Sequence, residues 1–265
     1  METVLNKKSL FILDMDGTIY LDDYPIEGAK EFISLVKKLN KKILYFTNNA
    51  SKSISMYYEK LNRLGFSVND GEVISSADVT IDYLITNHPE SSVYLVGTPA
   101  LEKSFTDKGI NLVNHRNADI VVSSFDTTLT YEKLEIACDC IRNGAIFYST
   151  HPDFNCPTAT HTGFIPDSGA ICALITASTG KLPKYFGKPC KETADYIAKI
   201  TGLSFDDMAI AGDRIYTDIK LGKDHGITSI LVLSGETKIE DINDDNKPDY
   251  IYNKLGDILP ELLIK

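Results

Sequence analysis

Phe11-Ile12-Leu13-Asp14-Met15-Asp16-Gly17-Thr18 joins an apolar triplet to two carboxylates and a glycine. A short apolar run that stops at a turn reads as a strand buried on both faces. In open parallel sheets, ligands bind beyond the carboxyl ends of the strands, and Asp14 and Asp16 fall there. Gly17 lets the chain turn away without a Cβ clash and brings backbone amides close to an anion. By itself the octet also reads as an ordinary acidic turn, so the rest of the chain has to decide.

Outward from this stretch, short β-rich runs alternate with amphipathic helices. A helix is expected from about Gly28 to Leu39, a strand at Ile43-Leu44-Tyr45-Phe46, and a helix from Ser55 to Leu64 closed by Gly65. Towards the other end, Met208-Ala209-Ile210-Ala211 reads as a strand, a helix follows around Asp218 to His225, and Ser229 to Leu233 reads as another strand. Such alternation predicts an α/β fold, a parallel sheet covered by helices on both faces. The middle, from Tyr83 to Leu182, has strand candidates of its own at 93–96, 120–122 and 145–148. Helices are expected there over Thr130 to Arg142 and Gly169 to Ser178. A second α/β domain inserted into the first is suggested.

The other strand ends also carry polar chemistry. Tyr45-Phe46-Thr47-Asn48-Asn49 ends on a hydroxyl and two amides that suit phosphate oxygens, although Thr and Asn are also common helix caps. Gly187-Lys188-Pro189 sets a lysine, a point charge for phosphate, before a helix from about Glu192 to Ile200. Ile210-Ala211-Gly212-Asp213 ends a strand on a carboxylate, and Asp218 follows five residues later. Such hard oxygen ligands suit Mg²⁺. Singly, each has a commonplace explanation: a cap, a surface lysine, a second acidic turn.

Together, in this order, the four stretches resemble the motifs of the haloacid dehalogenase superfamily. Asp14 to Tyr20, Phe46 to Asn49, Thr150-His151-Pro152-Asp153 and Gly212 to Asp218 are similar to the nitrophenylphosphatase subfamily related to the NagD phosphatase. The resemblance covers nearly the whole chain. It implies a Rossmann-like core over residues 1–82 and 183–265, with an α/β cap over 83–182 that sets substrate specificity. It further implies that Asp14 is the nucleophile and a Mg²⁺ ligand, and that Asp16 offers its backbone carbonyl to the metal. The Asp16 side chain would protonate the leaving oxygen and then activate water. Asp213 would be a metal ligand, and Asp218 a ligand or ligand-orienting carboxylate. Thr47, Asn48, Asn49 and Lys188 would hold phosphate oxygens, and Asp153 would face the substrate. An acid two residues after the nucleophile separates phosphatases from the dehalogenases and cation pumps of the superfamily. The implied activity is Mg²⁺-dependent hydrolysis of a small phosphate monoester, and a catalytically silent binding protein on the same fold is the alternative. In this subfamily the fragment near residue 166 often reads Pro-Gly-x-Gly, whereas here it is Pro166-Asp167-Ser168-Gly169.

Charge supports the metal independently. Two unit charges about 4 Å apart interact by roughly 4 kcal/mol at an effective dielectric of 20, so four gathered aspartates would repel a phosphate dianion unless a cation and Lys188 reversed the balance. The chain of 265 residues has 43% hydrophobic residues and a formal net charge of −10. Neither a basic nucleic-acid groove nor a membrane-spanning stretch is present. A small phosphorylated metabolite is the expected partner, with homo-oligomerisation left open. Five cysteines without a Cys-x-x-Cys pair or a secretion signal fit reduced thiols in the cytoplasm. His151, Cys156 and His161 lack a zinc-site spacing and are expected to be structural or to face substrate.

Overall fold

The computed structural model describes residues 3–158 and 163–264. Its principal sheet has six strands in the order Tyr250–Tyr252, Thr228–Val232, Met208–Gly212, Leu10–Leu13, Lys42–Thr47 and Val73–Ser75. Leu10–Leu13 pairs in parallel with Met208–Gly212 on one side and Lys42–Thr47 on the other, with Ile12 opposite Ile210 and Leu44. Both its neighbours and both its faces are covered, so all four of its residues are buried. This explains an uninterrupted apolar run where an exposed sheet would alternate.

Counted along the chain within this sheet, the strand order is 3-2-1-4-5-6, the doubly wound order whose direction reverses between strands 1 and 4. Ligand crevices form at that reversal. Here it lies between Leu10–Leu13 and Met208–Gly212, whose carboxyl ends carry Asp14 and Asp213.

Residues Met1–Thr47, Ser55–Ile74 and Lys188–Lys265 form one compact unit, and Asn48–Ile54 with Ser75–Gly187 form a second. The second has its own sheet, ordered Lys184–Tyr185, Ile146–Ser149, Ile120–Ser123, Ser92–Val96 and Asn111–Leu112, all parallel. A two-stranded antiparallel ribbon, Asn155–Pro157 with Phe164–Pro166, stands apart from that sheet. The molecule is therefore α/β throughout, a parallel-sheet core with an inserted α/β domain.

The helices meet their expected spans closely: Ala29–Lys38, Ile54–Arg63, Tyr131–Arg142, Ser168–Thr179 and Lys191–Thr201. Val4–Lys7 is a short helix capped by the Thr3 hydroxyl, which accepts from the Asn6 amide, before the first strand begins. All five cysteines are free thiols. No helix among the described residues is long and apolar enough to cross a membrane.

Helix Ala29–Lys38 starts at Gly28, whose φ is +81°. A Cβ there would lie 2.5 Å from the Gly256 Cα, so two backbones meet where no side chain fits. Gly28→Ala adds both that clash and a left-handed backbone, which costs a residue with a Cβ about 1–3 kcal/mol. Urea unfolding of the variant should show at least that loss, and unchanged stability would contradict the packing.

Candidate active site

The first unit gathers its charged groups at the topological reversal. Among the described residues, Asp14, Asp213 and Asp218 form one set of potential metal ligands, with one carboxylate oxygen from each within 4.8 Å of the others. Lys188 reaches into this set, its Nζ lying 2.5 Å from Asp14 Oδ1 and 2.6 Å from Asp218 Oδ1. It also donates to the Phe46 carbonyl at 3.3 Å. Lys188 is 2% exposed and Asp218 is fully buried, so these ion pairs are little screened by water.

Each aspartate owes its place to its own strand end. Asp14 follows Leu10–Leu13, and its amide continues the ladder by donating to the Ala211 carbonyl at 2.9 Å. Asp213 follows Met208–Gly212, where the loop after the next strand cradles it. The Glu236 amide donates to Asp213 Oδ2 at 2.7 Å and the Thr237 amide to the Asp213 carbonyl at 3.2 Å. The Ser234 hydroxyl ties that loop to the Gly17 carbonyl. Asp218 sits on a wide turn in which the Ile219 amide reaches back five residues to the Arg214 carbonyl. Such π-bulges recur at functional sites. Its Oδ2 accepts from the Arg214 amide at 3.2 Å.

Electrostatics follow from the crowding. Burial, then Asp218 and Asp213, push the Asp14 carboxyl well above the ordinary range against the pull of Lys188. Burial and Asp218 push Asp213 up to about 7. Burial works against the Lys188 charge, yet Asp14 and Asp218 more than offset it and hold the ammonium above the usual lysine range. One ammonium cannot neutralise three carboxylates, two of them buried and one half-buried. Asp213 Oδ1 is in addition buried with no hydrogen-bond partner among the described residues. A buried, unsatisfied carboxylate oxygen facing two others is the donor set that a hard divalent cation takes, so these residues fit one.

Asp16 stands outside this knot, with its side chain open to solvent. The protein mass around it nevertheless raises its carboxyl above the usual range, with Lys60 and Arg214 pulling the other way. Thr47 ends the strand Lys42–Thr47. Asn48 belongs to the second unit, where its Nδ2 donates to Asp153 Oδ2 at 2.8 Å. Asn49 turns into its own loop, where its Oδ1 accepts from the Ser51 amide at 3.0 Å and the Ser51 hydroxyl at 2.7 Å. His151 is bonded to Asp167 and Cys156 accepts from Asn49, while His161 lies outside the described residues. Sequence reasoning missed the loop Ser234-Gly235-Glu236-Thr237. The signal was there: it too follows an apolar strand at the same edge of the sheet.

Known proteins match this chain along most of its length. A haloacid dehalogenase-like hydrolase model matches residues 11–111 and a HAD-hydrolase-like model matches 185–258. The chain belongs to the haloacid dehalogenase-like hydrolases, in the NagD-like subfamily, and is a phosphoric monoester hydrolase. It is 36% identical over 253 residues to an acid sugar phosphatase of Staphylococcus aureus, covering 95% of this chain and 97% of that one. A 4-nitrophenylphosphatase from Thermotoga maritima superposes with a TM-score of 0.93 at 43% identity, covering 98% of this chain and 100% of the other. NagD from E. coli K-12 superposes at 0.86 with 28% identity over 95% of this chain and 98% of its own.

Gly17 tests the cradle. Its φ is +85°, and a Cβ would lie 2.5 Å from Asp213 Oδ2. Gly17→Ala should displace that carboxylate and lower phosphatase turnover at least roughly tenfold, since small misplacements in a reacting site are costly. Turnover equal to wild type would show that the position of Asp213 is not critical.

Proposed function

We propose that this enzyme hydrolyses a small phosphate monoester through a phosphorylated Asp14, with Mg²⁺ as cofactor. The observation that carries the reading is Lys188 bridging Asp14 and Asp218 beside the unsatisfied oxygen of Asp213. The names of its relatives make a sugar phosphate the favoured substrate class, with nucleotides as alternatives and p-nitrophenyl phosphate as an artificial substrate. Asp14, Asp213 and the Asp16 carbonyl would hold Mg²⁺, with Asp218 completing or orienting the set. Bound there, Mg²⁺ neutralises the carboxylates and withdraws charge from the phosphoryl oxygens.

The chain's own groups perform the two displacements. With Lys188 and a bound cation offsetting its acidic neighbours, Asp14 would be ionised and attack without a base to remove a proton, and a carboxylate is a stable enough anion to be displaced again in the second step. Its carboxylate forms a bond to phosphorus as the ester P–O bond breaks, and the Asp16 carboxyl gives its proton to the departing oxygen. A carboxyl raised above its usual range is suited to hold that proton. In the second step the Asp16 carboxylate takes a proton from water, whose oxygen attacks phosphorus and releases Asp14 and inorganic phosphate. Lys188 orients Asp14 and, with Thr47 and the Asn48 backbone, stabilises charge on the transferring oxygens. The inserted domain, expected at residues 83–182, acts as the cap that selects among esters, with Asp153 its foremost substrate-facing candidate.

Asp14→Asn retains size and removes the nucleophile. Phosphate release should vanish while circular dichroism stays unchanged, and near-normal turnover in a preparation free of wild type would sink the mechanism.

Asp16→Asn separates acid catalysis from metal holding, because the backbone carbonyl remains. An alkoxide leaves with full negative charge and needs the proton, whereas nitrophenolate spreads its charge over the ring. The first chemical step should slow by about 10²–10⁴-fold for an alkyl phosphate and far less for p-nitrophenyl phosphate. Single-turnover cleavage of the two esters decides it: equal losses would mean that Asp16 is not the leaving-group acid.

A further inference from the structure

The second unit contains a buried polar chain that the hydrolytic chemistry does not use. His151 is fully buried. Its Nε2 lies 2.8 Å from Asp167 Oδ1 and its Nδ1 lies 2.8 Å from the Thr150 hydroxyl. The Thr150 hydroxyl in turn lies 2.9 Å from that of Ser124. With Asp167 an acceptor, Nε2 carries the proton and Nδ1 accepts from Thr150, which satisfies every member. The order hydroxyl, imidazole, carboxylate is that of a nucleophilic triad, but Thr150 and His151 are both fully buried. No ester reaches them, so their role is to hold something.

What they hold is the loop Thr150–Asp153. Asp167 caps helix Ser168–Thr179, with its Oδ1 accepting from the Ser168 amide at 2.6 Å. The Gly169 amide donates to the Asp153 carbonyl at 2.7 Å, an approach close enough that a Cβ on Gly169 would lie 2.9 Å from that oxygen. His151 therefore staples the loop to the helix start. Asp153, so placed, accepts from Asn48 Nδ2 at 2.8 Å. Ser76, whose hydroxyl is 3.4 Å from His151 Nδ1, donates to the Asn48 carbonyl at 2.6 Å. Gly187 packs on the same cluster, where a Cβ would lie 2.7 Å from Asn48 Oδ1 and 2.9 Å from the Thr150 carbonyl.

The chain passes between the two units at 47/48, 54/55, 74/75 and 187/188. Asn48, Ser76 and Gly187 lie at or next to three of these four points. Asn48 follows Thr47 and Gly187 precedes Lys188, two of the groups assigned to the phosphate. We propose that His151 and Asp167 are positioning residues: their buried pair fixes Asn48 and Gly187, and thereby the placement of Thr47 and Lys188 for phosphate binding. The proposal rests on the reading of Thr47 and Lys188 given above. It also accounts for Asp167 in a fragment that often reads Pro-Gly-x-Gly in this subfamily: the carboxylate that stands in place of the first glycine is the partner of the imidazole at 151.

The test uses Asp167→Asn and His151→Gln in the full chain, with thermal melting to show that each folds. If the pair positions the phosphate groups, KM for p-nitrophenyl phosphate and the inhibition constant for inorganic phosphate rise together, about tenfold or more. The double variant is then no worse than either single, because one device has been broken. Hydrogen exchange of peptides covering residues 48–51 and 187 also accelerates by about tenfold. A lower melting temperature with unchanged phosphate inhibition and unchanged exchange would overturn the proposal, leaving a merely structural pair. Faster exchange with unchanged KM and phosphate inhibition would overturn it as well. If wild type released no phosphate at all, the functional reading would fall, and exchange together with binding of inorganic phosphate would decide the positioning role by itself.

Discussion

Three carboxylates converge in a buried crevice with one ammonium among them, and much of the first unit follows from that imbalance. Asp14 and Asp213 come from adjacent parallel strands, so the hydrogen-bonded ladder fixes their separation, and burial denies them water. Lys188 bridges Asp14 and Asp218 but leaves an Asp213 oxygen unsatisfied. A site of this kind is costly as it stands, and a hard divalent cation would offset that cost. The glycines at 17 and 235 belong to the same constraint. A Cβ at either would run into the Asp213 carboxylate, so the backbone itself has to form the wall of the crevice.

The parallel core was legible because its strands are short apolar runs that end in polar turns. Leu10–Leu13, residues 43–46 and Met208–Gly212 are buried on both faces, and an apolar run of that kind is visible in a single sequence. What escaped notice did so for local reasons. Helix Ser76–Asn87, Ser-Ala-Asp-Val-Thr-Ile-Asp-Tyr-Leu-Ile-Thr-Asn, is rich in β-branched residues and has apolar groups on several sides, so propensity and pattern both obscure it. Helix Pro99–Asp107 carries a start signal, a threonine cap followed by proline at the first position, but it buries only Leu101 and Phe105, too few to mark a helical period. Strands of three residues, Val73–Ser75 and Tyr250–Tyr252, are too short to show a period and owe their existence to the sheet beside them.

The same division runs through the site. Asp14, Lys188, Asp213 and Asp218 were readable from position at strand ends and from residue type, and the fold brings them together. Asn49 has the right chemistry, yet its side chain folds back onto Ser51. A short polar residue beside a serine has a local alternative that a one-dimensional reading does not weigh. The wide turn that presents Asp218 and the pairing of His151 with Asp167 depend on contacts with no sequence period at all. The one departure from the family pattern, at residue 167, meets its partner sixteen residues back, at His151, only in three dimensions.

The insertion also orders the birth of the molecule. Leu10–Leu13, the central strand of the first sheet, leaves the ribosome long before Met208–Gly212, one of its two neighbours, has been made. Until then its apolar edge has no partner on that side, which is the condition under which strands find wrong partners. The second sheet is different, for all its strands lie between Ser92 and Tyr185, and they can assemble while the first sheet is still waiting. Closing the first sheet then requires joining segments about two hundred residues apart. A folded insertion shortens that loop to the distance between its own ends, and so lowers the entropy that must be lost to close it.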